Sequence, residues 1–303
     1  MAQDGSGWLK FGVIGCLGLI LIIVLSVGVT ALVAWNKQGN EQLADRVLSP
    51  DYPSTTPDPL DASVMVEARG HVILDLGQGE FTLEPTRSGE PMRVEAVYDE
   101  NSYVLEEELE TREDSTWVYR VRFRRNTPGF VNLLRQVMGG HSPELHVFIP
   151  PDIPIILDLN VEEGGMEVEL GGLWITDADI AYAKGGLSIS VDEPLRQPMG
   201  RMVLRGSMGG FEARRLGNAS PRELDIDCSM GGAEVDLRGQ WLQDSDIRID
   251  VSMGGAEIRV PDDVTLEGVP ERDTRLRSDD PEVGRPTLRF TVASGMGGVE
   301  FSR

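Results

Sequence analysis

The sequence predicts an all-β protein: an elongated, β-solenoid-like stack of coils of about 22 residues with Gly-Gly corners, preceded by one N-terminal transmembrane helix. Three observations predict it. Four near-identical tetrapeptides recur, Ser207-Met208-Gly209-Gly210, Ser229-Met230-Gly231-Gly232, Ser252-Met253-Gly254-Gly255 and Gly295-Met296-Gly297-Gly298. The first three start 22 and 23 residues apart and the last 43 further on, close to two such steps. Apolar and polar residues alternate around each glycine pair, and residues 11–35 carry no charge.

A fixed period of this size marks a quasi-one-dimensional architecture in which each unit buries its apolar face only against its neighbours. Gly164-Gly165 and Gly185-Gly186 extend the register upstream. Each pair leads into a run such as Met166–Leu170, Leu187–Val191, Ala233–Leu237 or Ala256–Val260, and a second alternating run precedes it, as in Leu224–Cys228, Ile247–Val251 and Leu288–Val292. Alternation of period two means strands with one face buried. Each repeat therefore reads as strand, glycine corner, strand, turn, because glycine accepts φ > 0 and close backbone approach. Met208, Met230, Met253 and Met296 are expected one above another inside the corner as pliant core filler. The structural corner residues are then those four methionines with Gly209, Gly210, Gly231, Gly232, Gly254, Gly255, Gly297 and Gly298.

Upstream, residues 1–10 form a short tail and residues 11–35 suffice to cross a hydrocarbon core with some tilt. Trp8 and Trp35 bracket that stretch at interfacial positions, and Lys10 and Lys37 flank it. The stretch is longer than a signal-peptide core and no small-residue cleavage site follows, so an anchor is expected, with the β domain outside the cytoplasm at the cell membrane. Residues 38–62, rich in proline, read as a semi-extended stalk. Residues 63–150 form an N-terminal β domain with strands at Val72–Leu76, Glu80–Glu84, Met92–Val97, Tyr103–Leu105 and Trp117–Phe123. The Gly77-Gln78-Gly79 corner between the first two reads as a degenerate copy of the repeat. A short helix is expected near 128–138, capped by Thr127 and started by Pro128. Residues 151–303 form the repeat domain, with a looped insertion from Glu267 to Pro286 that accounts for the 43-residue step.

The net charge of −22 argues against nucleic acid as a partner. Basic residues are 25 Arg and 3 Lys, and arginines interleaved with acids along strands predict ion pairs across the outer face. Cys228 falls at an inward strand position and Cys16 in the apolar segment, so no disulfide framework is expected. His71, His141 and His146 lack metal-ligand spacing. Acid pairs such as Asp177/Asp179 and Asp225/Asp227 share the solvated face of a strand, and Asp262/Asp263 adds no recognisable calcium loop. A methionine column invites a soft-metal reading, which a core position would exclude. No nucleophile elbow, phosphate loop or dinucleotide fingerprint is present. No cofactor and no catalytic residue are expected.

The run Val147–Leu159, with Pro150-Pro151-Asp152-Ile153-Pro154 at its centre, followed by Gly164–Leu173, resembles a bacterial family. It is similar to the toast-rack domain and the C-terminal domain of cell-wall-active antibiotic-response proteins, and Leu74–Glu84 fits that domain's opening. The resemblance spans about 63–303 and implies a β-solenoid-like fold, a membrane setting and no enzymatic activity. The chain departs in having one apolar segment where those proteins have several. The expected function is that of an envelope-associated scaffold, sensor accessory or adhesin-like binding module. The alternative is a regulatory subunit of an envelope-stress signalling system acting through its transmembrane helix. A protein partner, or self-association through β edges, is expected.

Overall fold

The computed structural model describes residues 43–53, 66–126, 142–269 and 284–303. The tail, the segment 11–35, the helix expected near 128–138 and the middle of the 267–286 insertion lie outside the described residues. The strands are β1 (Leu43–Leu48), β2 (Gly70–Pro85), β3 (Arg93–Asp99), β4 (Tyr103–Thr111), β5 (Trp117–Arg125), β6 (Glu144–Ile149), β7 (Ile155–Glu169), β8 (Ile175–Ser190), β9 (Arg201–Arg214), β10 (Glu223–Asp236), β11 (Ser245–Arg259), β12 (Thr265–Glu267) and β13 (Thr287–Ser302). They form one 13-stranded, all-β sheet in which β2, β7, β8, β9, β10, β11 and β13 follow one another as parallel neighbours. The sheet runs unbroken across residue 150, since β2 pairs directly with β7.

Each long strand carries a change of facing at its middle. In β10 the buried residues are Leu224, Ile226 and Cys228, then Ala233 and Val235. In β11 they are Ile247, Ile249 and Val251, then Ala256 and Ile258. The inward position steps by five residues across the glycines, so parity switches and both halves of the strand turn their apolar side chains toward one core. Ser229 and Ser252 drop out of the ladder between β10 and β11, while Met230, Gly231 and Gly232 pair with Met253, Gly254 and Gly255. The Gly79 position aligns with Gly164, which identifies the upstream corner as a member of the same column.

The turns between coils are tied across the stack. After β9, a 3-10 turn at Leu216–Asn218 presents a buried Asn218, whose Nδ2 donates to the Val191 carbonyl at 2.8 Å while its Oδ1 accepts from the Gln240 amide at 2.9 Å. The Gln243 Nε2 donates to the carbonyls of Ser220 at 2.7 Å and Met199 at 2.9 Å. Backbone polar groups that a turn would leave orphaned are thus satisfied from the coils before and after it.

The N-terminal end departs from the repeat. β4 runs antiparallel to β5, and β3 runs antiparallel to β6 and β1. Aromatic rings fill this end: Tyr103 stacks on Phe123 with centroids 5.2 Å apart, and Tyr98 meets the same ring edge-on at 5.4 Å. The expected stalk is corrected here. Within 38–62, β1 joins the sheet and Tyr52 is buried against Trp117 at 4.9 Å, its hydroxyl oxygen accepting from the Met92 amide at 2.9 Å. A tyrosine that buries its ring and satisfies its hydroxyl holds the chain to the core despite flanking prolines.

Candidate functional site

The glycine pairs build two columns with different physics. The first holds Gly79, Gly164, Gly185, Gly209, Gly231, Gly254 and Gly297 in register. A Cβ placed on Gly231 would overlap the carbonyl oxygen of Gly209, and every later member of the column meets its predecessor in the same way. Gly231 also has φ of 138°, a region open essentially to glycine alone. The second column continues from Glu80 through Gly165, Gly186, Gly210, Gly232, Gly255 and Gly298. A Cβ on Gly186, Gly210, Gly232 or Gly298 would meet nothing within 4 Å, and none of these has positive φ. Neither sterics nor backbone conformation demands glycine there.

The second column is the floor of a groove of about 1220 Å³ that crosses the stack from β2 to β13. Beside the glycines lie the backbones of Phe81, Met166, Leu187, Phe211, Ala233, Ala256 and Val299, whose side chains point into the core. Beyond them stands an exposed wall. Thr82, Glu167, Ser188, Glu212, Glu234, Glu257 and Glu300 share one register, so the last four are glutamates on adjacent strands. Strand spacing of about 4.8 Å puts like charges directly opposite one another, an arrangement that costs roughly 0.2–1 kcal/mol per pair. Two arginines offset part of it: Arg214 approaches Glu212 at 3.7 Å, and Arg259 approaches Glu257 at 3.4 Å and Glu234 at 4.0 Å. At the β2 end, Glu80 and Glu144 pair across strands and His146 Nδ1 shares a hydrogen bond of 2.7 Å with the Thr82 hydroxyl.

The methionines are the main correction. Met208, Met230, Met253 and Met296 are 39%, 41%, 42% and 76% exposed, not filling the corner. Counting by twos from Cys228 places Met230 inward, but the rotation that begins at Ser229 breaks that count and turns the side chain out. Cys228 itself is a buried free thiol, as expected, and burial pushes it up to about 11. The predicted outer-face ion pairs are present: Arg205 forms a bidentate pair with Asp179 at 2.7 and 2.8 Å, and Arg201 reaches Asp225 at 2.6 Å. These arginines occupy one acid of each pair, 177/179 and 225/227. His71, at the start of β2, sits 2.7 Å from Asp158 and does not line the groove, and His141 lies outside the described residues. Among the described residues no group of three or more His, Cys, Asp or Glu is placed to hold a metal ion. The groove is the feature that sequence reasoning missed. Its signal was in the strings, because the same glycine recurs at a position where alternation alone would permit any polar side chain.

No family model matches the chain, and no curated protein matches it. Among solved structures it is similar to a "putative cell adhesion protein" from Clostridium sporogenes, with 10% identity and a TM-score of 0.38 over 86% of this chain and 99% of that one. A "putative adhesin" from Bacteroides fragilis matches at 7% identity and a TM-score of 0.37, over 86% and 98% of the two chains. Another from Parabacteroides distasonis matches at 12% identity and a TM-score of 0.27, over 87% and 98%.

Proposed function

We propose that the chain is a non-enzymatic binding module, a β-solenoid-like stack of the toast-rack kind whose groove receives an extended, positively charged polymer segment. The single observation that carries this reading is a glycine column kept bare where side chains would fit, beside a glutamate ladder that costs stability. Six glycine-bearing strands, β7 to β13, at about 4.8 Å give a floor about 24 Å long, enough for roughly seven residues of extended peptide. A flat backbone floor admits a chain without selecting its side chains, and the glutamate wall selects its charge. Exposed carboxylates steer such a ligand and make the binding salt-dependent. The charge-free segment 11–35 supports membrane anchoring, which would present the stack at the envelope as a scaffold or adhesin-like module.

The test uses the full chain in detergent micelles and a fluorescent decalysine peptide. Anisotropy should report saturable binding that weakens steeply with salt. Substituting Glu212, Glu234, Glu257 and Glu300 by Gln should abolish it while leaving the unfolding transition in place. Binding of equal strength to the quadruple variant would overturn the proposal.

A further inference from the structure

Four of the exposed large apolar side chains of the described residues stand in one row. Met208, Met230, Met253 and Met296 pair in register on β9, β10, β11 and β13, four adjacent parallel strands. A core role for them is removed by their exposure, and with it the reason to set aside their sulfur chemistry. Thioethers are soft, neutral donors that favour Cu(I) over hard or borderline cations. With metal–sulfur bonds of about 2.3 Å, two sulfurs on opposite sides of one ion lie about 4.6 Å apart. Neighbouring strands repeat every 4.8 Å or so, which suits two adjacent sulfurs; methionines two strands apart start about 9.6 Å from each other, and the three rotatable bonds of the unbranched side chain let the outer two lean toward the middle one to share an ion.

The row is not uniform. Lys184 occupies the methionine position on β8 and pairs with Met208, placing an ammonium at that end. A cation is therefore favoured at the other end, where Met230, Met253 and Met296 lie furthest from Lys184. Ser229 and Ser252, which precede two of these methionines, are hard donors that add little affinity for a soft ion. The net charge of −22 raises the local concentration of any cation.

We propose that the exposed methionine ladder is a soft-metal site, taking one monovalent Cu(I)-type ion on the thioethers of Met230, Met253 and Met296. This site is separate from the groove and does not rest on the function proposed for it. Because thioethers carry no proton to lose, the affinity is independent of pH across the neutral range, unlike that of a thiol or imidazole site. Cys228, the one thiol among the described residues, is buried and protonated there.

The experiment titrates the full chain, carrying ¹³C-labelled methionine ε-methyls, with Ag(I) as a redox-inert stand-in in chloride-free buffer. One equivalent should shift the methyl signals of Met230, Met253 and Met296 together, with the same affinity at about pH 5.5 and about pH 7.5. A variant carrying M230L, M253L and M296L should lose the binding and keep its melting temperature within about 2 °C, as surface substitutions do. Cys228→Ser should leave the binding intact. Shifts absent at one equivalent, affinity unchanged in the triple variant, or binding lost with Cys228 would each overturn the assignment. Should the triple variant fail to fold, the methyl shifts of the unaltered chain decide alone.

Discussion

Two neighbouring columns, both glycine from β7 to β13, answer to different demands. In the first, typified by Gly231, the backbone of the preceding coil occupies the place of a side chain and φ lies where other residues are strained. In the second, typified by Gly232, a Cβ would stand in open space. The first column makes the corner possible. The second leaves the outer surface of the sheet bare from β8 to β13. Repetition alone therefore does not identify a structural residue: the identity of what a side chain would touch does.

The comparison can be broken most directly at Gly231. Gly231→Ala combines a strained backbone with overlap of a fixed carbonyl, and is expected to lower stability by about 3 kcal/mol or more, read as a fall in the denaturant midpoint. Gly232→Ala, one residue on, should stay within about 0.5 kcal/mol of the unaltered chain. Equal losses at the two positions would erase the distinction.

An intermediate effect is expected at Asp236, which lies in the same strand as these glycines and is itself buried. Its carboxylate accepts bidentate bonds from Arg238 at 2.7 and 2.8 Å and a further bond from the Arg238 amide at 2.9 Å. Burial raises its pKa, but the bonds to Arg238 outweigh that and hold it below the usual carboxylate range. A group held low in the fold stabilises fully above its unfolded value near 4 and loses that contribution as pH falls through the depressed value. Asp236→Asn should therefore cost about 1–2 kcal/mol at neutral pH, the Arg238 head being half-exposed. The gap between the two proteins should close in acid, which urea melts across a pH series would show.

The smallest effects fall on the groove wall. Glu234→Gln with Glu257→Gln removes two like-charged neighbours, so stability should hold or rise by a few tenths of a kcal/mol, with binding of the decalysine peptide weakened. A clear loss of stability would mean that Arg259 makes this part of the ladder a structural device.

Much of the fold was legible in the strings. Alternation on both sides of each glycine pair specified strands with one buried face, and Leu224, Ile226, Cys228, Ala233 and Val235 are buried as that pattern requires. Gly77-Gln78-Gly79 was recognisable as an early corner. Two readings failed for physical reasons. Met230 is expected inside the corner as core filler, but the chain rotates there and turns its side chain out. The stalk was inferred from prolines, yet Leu43–Leu48 finds an open edge at β3 and Tyr52 finds a pocket beside Trp117, neither of which composition reveals. The groove was visible as a recurrent glycine, but what distinguishes Gly232 from Gly231 is the distance to a neighbouring coil, and that exists only in three dimensions.

On the function proposed above, the second glycine column is kept bare for a ligand. Filling it with Gly210→Leu, Gly232→Leu and Gly255→Leu in the full chain, and measuring decalysine binding by anisotropy beside the denaturant midpoint, tests that claim most directly. The unfolding midpoint should stay close to that of the unaltered chain, and binding should be lost. Binding retained at full strength in a folded triple variant would contradict it.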